Sequence, residues 1–466
     1  MQQLISGLTN KLYVNKKRIF FKKNNKMQVQ ELKIVVGLDI GTTKVCAIVG
    51  TKNEHGKIDI LGMGKAESLG VIRGEVRNID KTVKAIVEAI EKAKESVSQN
   101  PHSKISRIDI SSVHVGIAGQ HIKSLQHKNS ISRTNTDDEI TREDVERLIK
   151  DTHNLALPPG DKIIHVLPQE FTVDDIVDVT EPIGMTGVRL SSNFHIITGH
   201  IEAIKNINKS VVRANLTVAG LILEPISSAD AVLAYEEMEA GVCLVDIGGG
   251  TTDVAIFKNG IIRHTAVIPF GGNIITEDIT EGCQVLRNQA ELLKTKFGSA
   301  LAEENKENEL VSIPSFKGRA PKEVSLKNLA LVIQARVEEI FEEVLFQIKS
   351  SGLEKKLNAG IVITGGGSQL KHLSMLVELV TGMDARIGYA NEHLGKTHIE
   401  EIKSPMYATA VGLVIKGFEN ENSLNDLKEE NEPENKKSSK LTKGIFKGLV
   451  EKYNNWMFND EDMKDF

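Results

Sequence analysis

"KIVVGLDIGTTKVCAIVG" (residues 33–50) returns in altered form as "GVCLVDIGGGTTDVAIFKNG" (residues 241–260). Each stretch has an apolar strand, an aspartate, a turn rich in glycine and threonine, and a second apolar strand. The repetition predicts an internal duplication with one hairpin in each half of the chain. A Rossmann fingerprint is excluded because a strand, and not a helix, follows each of these two turns. Gly395-Lys396-Thr397 resembles the end of a P-loop, but the motif needs a glycine at position 390, where this chain has Ala390.

The residue types in these turns are suited to holding a polyphosphate. Glycines let backbone N–H groups approach phosphate oxygens, and threonine hydroxyls add further donors. Asp39 and Asp246 end the two buried strands, where each can hold Mg²⁺ through water. A third turn, Thr364–Ser368, lies between an apolar strand and an apolar helix and suits close approach to a nucleoside. The sequence therefore predicts nucleotide binding between two facing hairpins.

Composition bounds the other possibilities. The chain has 466 residues, a net charge of −5 and three cysteines, Cys46, Cys243 and Cys283. Residues 1–27 carry seven Lys and Arg and no acid, which leaves −12 for the remainder and makes it a poor candidate for nucleic-acid binding. The cysteines suggest buried thiols in a reducing compartment. The basic start is either a targeting or lipid-binding segment, or an untranslated extension upstream of Met27.

Strands alternate with helices from Lys33 onward, which is typical of an α/β protein. Residues 79–97 predict an amphipathic helix, with Val83, Ile86, Val87 and Ile90 on its apolar side. Residues 113–190 interrupt the alternation and include a helix with a capping signature at Thr141–Asp144, so we interpret them as an inserted subdomain. Residues 419–435 hold seven acids against one lysine, which predicts a solvated, flexible linker.

The three turns resemble the phosphate and adenosine motifs of the actin-like ATPase superfamily. Within it, "VGLDIGTTK", "VDIGGGTTDVAIF", "IPFGGNIITEDI" and "ITGGGSQL" are most similar to the FtsA family of bacterial cell division proteins, over about Lys33–Gly417 and again in the tail. The resemblance implies two lobes, each with a ribonuclease-H-like core, and ATP with Mg²⁺ between them. The expected divisions are a disordered basic extension at 1–30, a first lobe at 31–112 with 191–226 and 385–417, an inserted small α+β subdomain at 113–190, a second lobe at 227–384 with a small subdomain around 273–328, an acidic linker at 418–440 and an amphipathic helix at 441–458.

The resemblance also implies roles for particular residues. Glu224 stands where some relatives place a residue near the attacking water, and Glu291 with Lys294 matches a pair that contacts the ribose and base; a solvated helix face is the alternative for that pair. Glu224 has its own alternative, which is capping the helix near Ser227. The implied nucleotide-binding residues are Asp39, Gly41, Thr42, Thr43, Lys44, Asp246, Gly248, Gly249, Gly250, Thr251, Thr252, Asp253, Glu291, Lys294, Gly365, Gly366, Gly367 and Ser368.

The C-terminal tail predicts a membrane-targeting helix. On a helix at about 100° per residue its apolar side chains share one face, while Lys443 and Lys447 lie on the other, near anionic headgroups. Gly444 and Gly448 weaken the helix in water, so it would order on binding. The alternative is docking on the chain's own domain, for which a long linker is unneeded. The apolar face contains Leu441, Ile445, Phe446, Leu449, Val450, Tyr453, Trp456 and Met457.

The resemblance implies an ATP-binding cell division protein on the cytoplasmic face of the inner membrane, enriched at the division site. Its expected partners are the C-terminal peptide of FtsZ, further copies of itself in filaments, anionic lipids and later division proteins. Arg319 and Lys322 are basic candidates for docking the FtsZ peptide. ATP turnover is expected to be slow at most. The alternatives are a pilus-assembly adaptor related to FtsA and a small-molecule kinase of the same superfamily.

Overall fold

A computed structural model describes most of the chain. It covers residues 16–23, 26–101, 105, 107–133, 138–306, 308–314, 320–390, 393–395 and 397–429, with the backbone alone in 16–32 and 421–429. Within these ranges no helix is both long enough and apolar enough to span a bilayer. All three cysteines are buried and free, as predicted.

Nineteen strands form in the described ranges. They are β1 (Lys16–Lys23), β2 (Lys26–Ile40), β3 (Lys44–Lys52), β4 (Ile58–Glu67), β5 (Val71–Ile72), β6 (Glu75–Val76), β7 (Ser112–Ile117), β8 (Lys123–Ser132), β9 (Asp161–Val173), β10 (Ile176–Val179), β11 (Arg189–His200), β12 (Thr217–Leu223), β13 (Val242–Ile247), β14 (Thr252–Lys258), β15 (Ile261–Ile268), β16 (Leu310–Ile313), β17 (Lys322–Ser325), β18 (Ile361–Thr364) and β19 (Ala385–Ile387).

Ten α-helices accompany them in the same ranges. They are α1 (Ile79–Gln99), α2 (Arg142–Thr152), α3 (Ile201–Arg213), α4 (Glu224–Val232), α5 (Tyr235–Ala240), α6 (Gly272–Gly282), α7 (Arg287–Phe297), α8 (Leu326–Ser350), α9 (Leu373–Thr381) and α10 (Ala408–Glu429). Short 3₁₀ turns lie at Ala302–Glu304, Glu354–Lys356, Gly366–Gln369, Glu400–Lys403 and Pro405–Tyr407.

Two mixed sheets repeat one topology. The first runs β4-β3-β2-β7-β12 and the second runs β15-β14-β13-β18-β19. In each, the first three strands are antiparallel neighbours and the last two are added in parallel. The internal duplication predicted from the two hairpins is confirmed, because β2–β3 and β13–β14 occupy equivalent positions in the two sheets. The predicted α/β class with one core sheet in each of two lobes is confirmed as well.

The strands are apolar on both faces because each sheet is covered on both sides. In β3, Val45 and Val49 face the core under α1, whereas Cys46 and Ile48 face the opposite core. That second core is shared by the lobes. It takes residues from β3 and β13 together with α4 and α10, and Tyr407 is buried in it. The middle of the molecule is therefore a single packed layer, which the burial of apolar area stabilises.

Residues of the inserted subdomain form a separate small sheet, ordered β10-β9-β11-β8, against α2. Its core includes the fully buried Leu148 and Phe194. The predicted capping box at the start of α2 is confirmed. The Thr141 hydroxyl accepts from the amide of Asp144 at 3.3 Å, and the Asp144 carboxylate accepts from the amide of Thr141 at 3.0 Å.

A set of contacts ties this inserted sheet to strand β15 of the second lobe, and we call it the β15 clasp. Gln169 Nε2 donates to Ile262 O at 2.8 Å, and Ser124 Oγ donates to Thr265 O at 3.0 Å. Arg263 makes a two-pronged ion pair with Glu170, and Arg263 holds the pKa of that carboxyl below its usual range by hydrogen bonding. The clasp therefore joins the inserted sheet to the second lobe through an ion pair and two hydrogen bonds to the backbone of β15.

The inserted subdomain has different bounds from those predicted. Strand β7 (Ser112–Ile117) pairs in parallel with β2 and belongs to the first sheet, while β11 runs on to His200 in the inserted sheet. The sequence does not mark these bounds, because β7 has only six residues and β11 mixes apolar residues with Ser191, Ser192 and Asn193. A related correction concerns β19, which the first lobe was expected to hold; it pairs with β18 in the second sheet. In α1, Val87 is exposed, and alanines share the buried face with Ile86 and Ile90.

Both predicted flexible segments contain regular structure. In the N-terminal extension, β1 pairs with the start of β2 from Lys16↔Lys33 to Lys23↔Lys26, which the alternating, strand-forming residues of this region support. Helix α10 continues past Gly417 to Glu429, because the acidic residues there are also good helix formers and Pro433 is the first breaker. The rest of the linker and the amphipathic helix at 441–458 lie outside the described residues.

Candidate nucleotide site between the two hairpins

The two predicted turns lie against each other across the cleft between the lobes. A Cβ atom on Gly249 would lie 2.0 Å from Thr43 Oγ1, and one on Gly250 would lie 2.8 Å from Thr42 Oγ1. No side chain fits at either glycine, so the close approach of the two backbones depends on these residues. The structure thus brings the first and second predicted motifs together.

The same hydrogen bond closes each turn. Gly41 N donates to Lys44 O at 3.0 Å, and Gly248 N donates to Thr251 O at 2.9 Å. These bonds leave the amides at the tips of the turns, Thr42–Thr43 and Gly249–Gly250, with no acceptor among the described residues. Unpaired amides on two facing tips are available to donate to an anion, so this geometry favours the phosphate site, which stays a prediction.

Four buried carboxyl groups surround the turns. Burial is the first cause that raises the pKa of Asp39, Asp246, Asp253 and Glu224, and their mutual repulsion raises several of them further. For Asp253 the pKa reaches about 8, with Asp246 as the second cause. Glu224 is raised well above its usual range, and Asp39 is the largest of its charged neighbours. A bound cation would stabilise the charged forms of these four carboxyl groups, and Lys44 alone does not balance their charge.

Lys44 is the one lysine that lowers the pKa of all three of Asp39, Asp246 and Glu224. Its Nζ lies 5.4 Å from the centroid of the Tyr407 ring, which positions the ammonium group at the edge of the cluster. Glu224 opens α4 and its Cγ would lie 2.9 Å from a Cβ on Gly116. It faces the carboxyl cluster, and no hydrogen bond joins it to Ser227 in the described chain.

Asp246 is held by hydroxyl groups from two different helices. Ser228 Oγ of α4 donates to Asp246 Oδ2 at 2.7 Å, and Thr409 Oγ1 of α10 donates to the same oxygen at 3.2 Å. The two hydroxyl oxygens are 2.9 Å apart. These bonds stabilise the charged carboxylate and so oppose the effect of burial on the pKa of Asp246. They also fix the carboxylate at the mouth of the turn.

The residues present fit Mg²⁺ held through water. Asp253 Oδ1 is buried and has no hydrogen-bond partner among the described atoms, so it is available to accept from a bound water molecule. No group of three histidine, cysteine or acidic side chains in the described ranges could hold a metal ion by itself. A metal here would take most of its ligands from water and phosphate, with Asp39 and Asp246 as the predicted outer partners. Bound Mg²⁺ would neutralise phosphate charge.

The third turn comes close to the second. A Cβ atom on Gly365, which has φ +84°, would lie 2.3 Å from Asp246 Oδ1, and one on Gly367 would lie 2.3 Å from a side-chain carbon of Ile247. Ser368 Oγ donates to Gly365 O at 2.8 Å, so this hydroxyl closes its own turn. Gly366 has open space beside it. The third motif therefore lies at the same site as the first two.

Glu291 and Lys294 are placed beside the second turn, through Gly272. Lys294 Nζ donates to Gly272 O at 2.8 Å and pairs with Glu291 Oε2 at 2.7 Å, and Gly272 N donates to Gly248 O at 2.9 Å. The lysine is largely buried, and burial lowers its pKa. Lys294 is thus not on a solvated face, whereas the side chain of Glu291 is 46% exposed.

Several predicted residues lie elsewhere. Lys322 Nζ donates to Gln284 O at 3.3 Å in the small subdomain of the second lobe, away from the turns. Arg319 lies outside the described residues, and so do all the predicted membrane-binding residues, Ile445, Phe446, Leu449, Val450, Tyr453, Trp456, Met457, Lys443 and Lys447.

The structure adds residues that the sequence reasoning missed. Ser228 and Thr409 hydrogen-bond to Asp246, and the backbone N of Asn273 donates to Gly249 O at 2.8 Å. No spacing in the sequence pointed to either hydroxyl, because α4 also contains Ser227 and Asp230, and Thr409 is a single hydroxyl at the start of α10. Next to the turns, a cleft of about 710 Å³ is lined by Thr42, Gly249, Gly250, the β5–β6 hairpin and the start of α6.

Two family models and several known proteins match most of this chain. Residues 243–412 match the family model for cell division protein FtsA, and residues 119–198 match the model for the SHS2 domain inserted in FtsA. Cell division protein FtsA of Pseudomonas aeruginosa is 39% identical over 391 residues, which cover 84% of this chain and 91% of that protein. The protein of the same name from Escherichia coli strain K12 is 36% identical over 401 residues, covering 84% and 92%.

A solved structure, the PilM–PilN type IV pilus biogenesis complex, shares the fold with a TM-score of 0.59. The match covers 82% of this chain and 98% of that one, at 14% sequence identity. At this identity the likeness concerns the fold alone.

Proposed function

The chain belongs to the FtsA family of cell division proteins, and we propose that it is an ATP-binding, actin-like adaptor on the cytoplasmic face of the bacterial inner membrane. In this role it anchors FtsZ to the membrane through a C-terminal amphipathic helix, assembles into filaments at the division site and helps to recruit later division proteins. Its cofactors are ATP and Mg²⁺, and its turnover of ATP is slow at most.

The observation that carries the nucleotide part of this proposal is the pair of facing turns. Their unpaired amides offer phosphate donors from both lobes, and the four buried carboxyl groups around them favour a bound cation. A ligand that fills this place contacts both lobes at once. ATP therefore acts as an assembly ligand that sets the angle between lobes, and Glu224 is the candidate for positioning water.

The membrane part rests on the sequence of the tail. Eleven residues, 430–440, separate the end of α10 from the apolar face of residues 441–458, and both lysines and aromatic residues lie where a bilayer interface favours them. One such helix binds weakly. Filaments of the ATP-bound body join many of these helices and raise the avidity.

Two alternatives remain for comparison. A small-molecule kinase needs a carboxylate that takes a proton from the acceptor hydroxyl, and no separate motif for one is present in the sequence. A pilus-assembly adaptor shares the fold, as the PilM–PilN complex shows for PilM-like proteins. Membership of the FtsA family favours the division role over both.

The proposal is tested by sedimenting the full-length protein with vesicles that contain phosphatidylglycerol and a labelled peptide from the C-terminus of FtsZ. With ATP, protein and peptide should pellet together, and several-fold less should pellet with ADP because fewer anchors are joined. A chain ending at residue 439 should leave both in the supernatant.

Two matched double variants separate the apolar face from the charge. Phe446→Glu with Trp456→Glu should act like the truncation, whereas Asn454→Glu with Asn455→Glu adds the same charge to the polar face and should still pellet. Unchanged pelleting of the truncated chain would contradict the membrane anchor. Retention of a pilus-assembly peptide in place of the FtsZ peptide would favour the pilus adaptor.

A further inference from the structure

The tip of the β5–β6 hairpin carries a long cation in an unusual backbone conformation. Arg73 has φ +50° and Gly74 has φ +77°, so both residues at the tip are left-handed. Glycine and asparagine adopt this region easily, but arginine does so rarely, and such outliers cluster at functional sites. The conformation by itself assigns no role, but it directs attention to what surrounds the tip.

The tip is wedged between the two phosphate turns. Gly74 N donates to Thr42 Oγ1 at 3.0 Å on the first turn. A Cβ atom on Gly250, in the second turn, would lie 3.0 Å from Arg73 Cα. On its other side, a Cβ atom on Gly74 would lie 2.7 Å from Gly119 Cα. The base of the Arg73 side chain is therefore fixed within contact distance of both turns.

Within the described part of the chain, the exposed guanidinium of Arg73 has no acceptor, unlike those of two neighbouring arginines. Three arginines line the cleft of about 710 Å³ beside the turns. Arg77 pairs with Glu75 at 2.7 Å and Arg287 pairs with Glu277 at 3.0 Å. Among the described residues no carboxylate or carbonyl oxygen accepts from Arg73, although its Cα would lie 3.0 Å from a Cβ atom on Gly250 of the second turn. A cation that lies next to these turns and has no acceptor among the residues described is available to bind an anion.

We propose that Arg73 binds the γ-phosphate of ATP and so distinguishes ATP from ADP, an inference that rests on the ATP site proposed above. The amides at the turn tips contact phosphate oxygens from two sides. Arg73 approaches from a third side, where its planar fork can donate two parallel hydrogen bonds to one phosphate. Because the terminal phosphate carries the charge that ADP lacks, a cation at that position adds affinity for ATP alone.

The experiment compares ATP and ADP affinities of the full-length protein by displacement of a fluorescent ADP analogue. Arg73→Gln removes the charge and should weaken ATP binding by about 10-fold or more, as expected for a charge-assisted pair with phosphate, and leave ADP within about twofold. Arg73→Lys should recover part of the loss. Arg213→Gln removes an exposed arginine that pairs with Asp80 at 2.6 Å and does not line the cleft, so it should change neither affinity.

A melting curve accompanies each variant, because Arg73→Gly relieves the left-handed backbone and should melt no lower than wild type while losing ATP preference. If wild type binds both nucleotides and Arg73→Gln leaves the ratio of the ATP and ADP affinities unchanged, the role of Arg73 is overturned and the ATP site stays intact. An equal loss of affinity for both nucleotides is one such result. A wild-type protein that binds neither nucleotide would overturn the ATP site itself, and with it this inference.

Discussion

Asp253 connects the electrostatics of the site to the stability of the nucleotide-free protein. Its pKa is about 8 in the folded chain, against 3.8 for the ordinary carboxyl group, because burial and Asp246 both oppose the charge. Between these two values the folded state holds a proton that the unfolded chain releases. The contribution of Asp253 to the free energy of unfolding is therefore fully present below about pH 4, and it falls as pH rises toward 8.

We expect Asp253→Asn to flatten this pH dependence, because the amide cannot ionise. Between pH 5 and pH 8.5 the wild type without nucleotide should lose on the order of a few kcal/mol of unfolding free energy that the variant keeps. Thermal unfolding at the two pH values measures the difference. Asp175→Asn, at an exposed position, should retain the wild-type dependence. Equal slopes for wild type and Asp253→Asn would show that the carboxyl group is not perturbed in this way.

Ser228 and Thr409 illustrate what sequence reasoning can find at the residue scale. The aspartates and glycines of the turns were predictable, because their spacing repeats and their chemistry is specific. Ser228 and Thr409 lie within helices, where a hydroxyl usually bonds to the backbone of its own helix. Only the fold brings both oxygens to Asp246, since the helices that carry them are separated by 181 residues of sequence.

At the scale of elements, the β15 clasp joins the inserted sheet to the second lobe. Its ion pair, Arg263 with Glu170, is mostly shielded from solvent, and its remaining bonds go to the backbone of β15. Any opening of the cleft that moves the lobes apart must break or bend these contacts. The clasp should thus slow the release of a nucleotide held between the lobes.

We expect Arg263→Ala to release a fluorescent ADP analogue several-fold faster than wild type in a stopped-flow chase. Glu170 would lose its partner, and the clasp would keep only its hydrogen bonds to β15. Arg386→Ala is the control, because Arg386 also makes a two-pronged ion pair, with Glu237, but both residues belong to the second lobe. Equal release rates for the two variants would show that the clasp does not restrain opening.

For the whole molecule, the shared core predicts that the lobes are stabilised together. A Cβ atom on Gly412 of α10 would lie 1.8 Å from Ser227 O of α4, so these helices touch backbone to backbone. Alanine normally favours a helix over glycine, but here its methyl group must push the two helices apart. The layer that they form packs against strands of both sheets.

We expect Gly412→Ala to lower the unfolding free energy by about 2–3 kcal/mol and to reduce hydrogen-exchange protection in β3 and β13 alike. Gly282→Ala is the matched control, because its nearest neighbour is a methyl carbon of Val332 at 3.1 Å, which can shift. That variant should stay within about 1 kcal/mol of wild type. Loss of protection confined to one lobe would contradict a shared core.

The sequence anticipated the duplicated sheets but not the ends of the folded body. The turns of the two hairpins specify their own geometry through glycine, so the pairing of β2 with β3 and of β13 with β14 could be predicted. After Gly417 the same acidic residues favour both a solvated linker and a helix, and composition does not choose between them. Packing of α10 on α4 nucleates the helix from one end, which local sequence does not reveal.

Helix α10 begins beside Thr409, which contacts Asp246, and continues without interruption to Glu429. Such a helix transmits direction as well as distance. Because α10 starts at the nucleotide site, its orientation there fixes the direction around the helix axis in which Glu429 points. One residue inserted into α10 would rotate that direction by about 100° and move it about 1.5 Å along the axis. Seven inserted residues would nearly restore the azimuth. The number of residues in α10 consequently sets the direction in which the chain leaves the helix at Glu429.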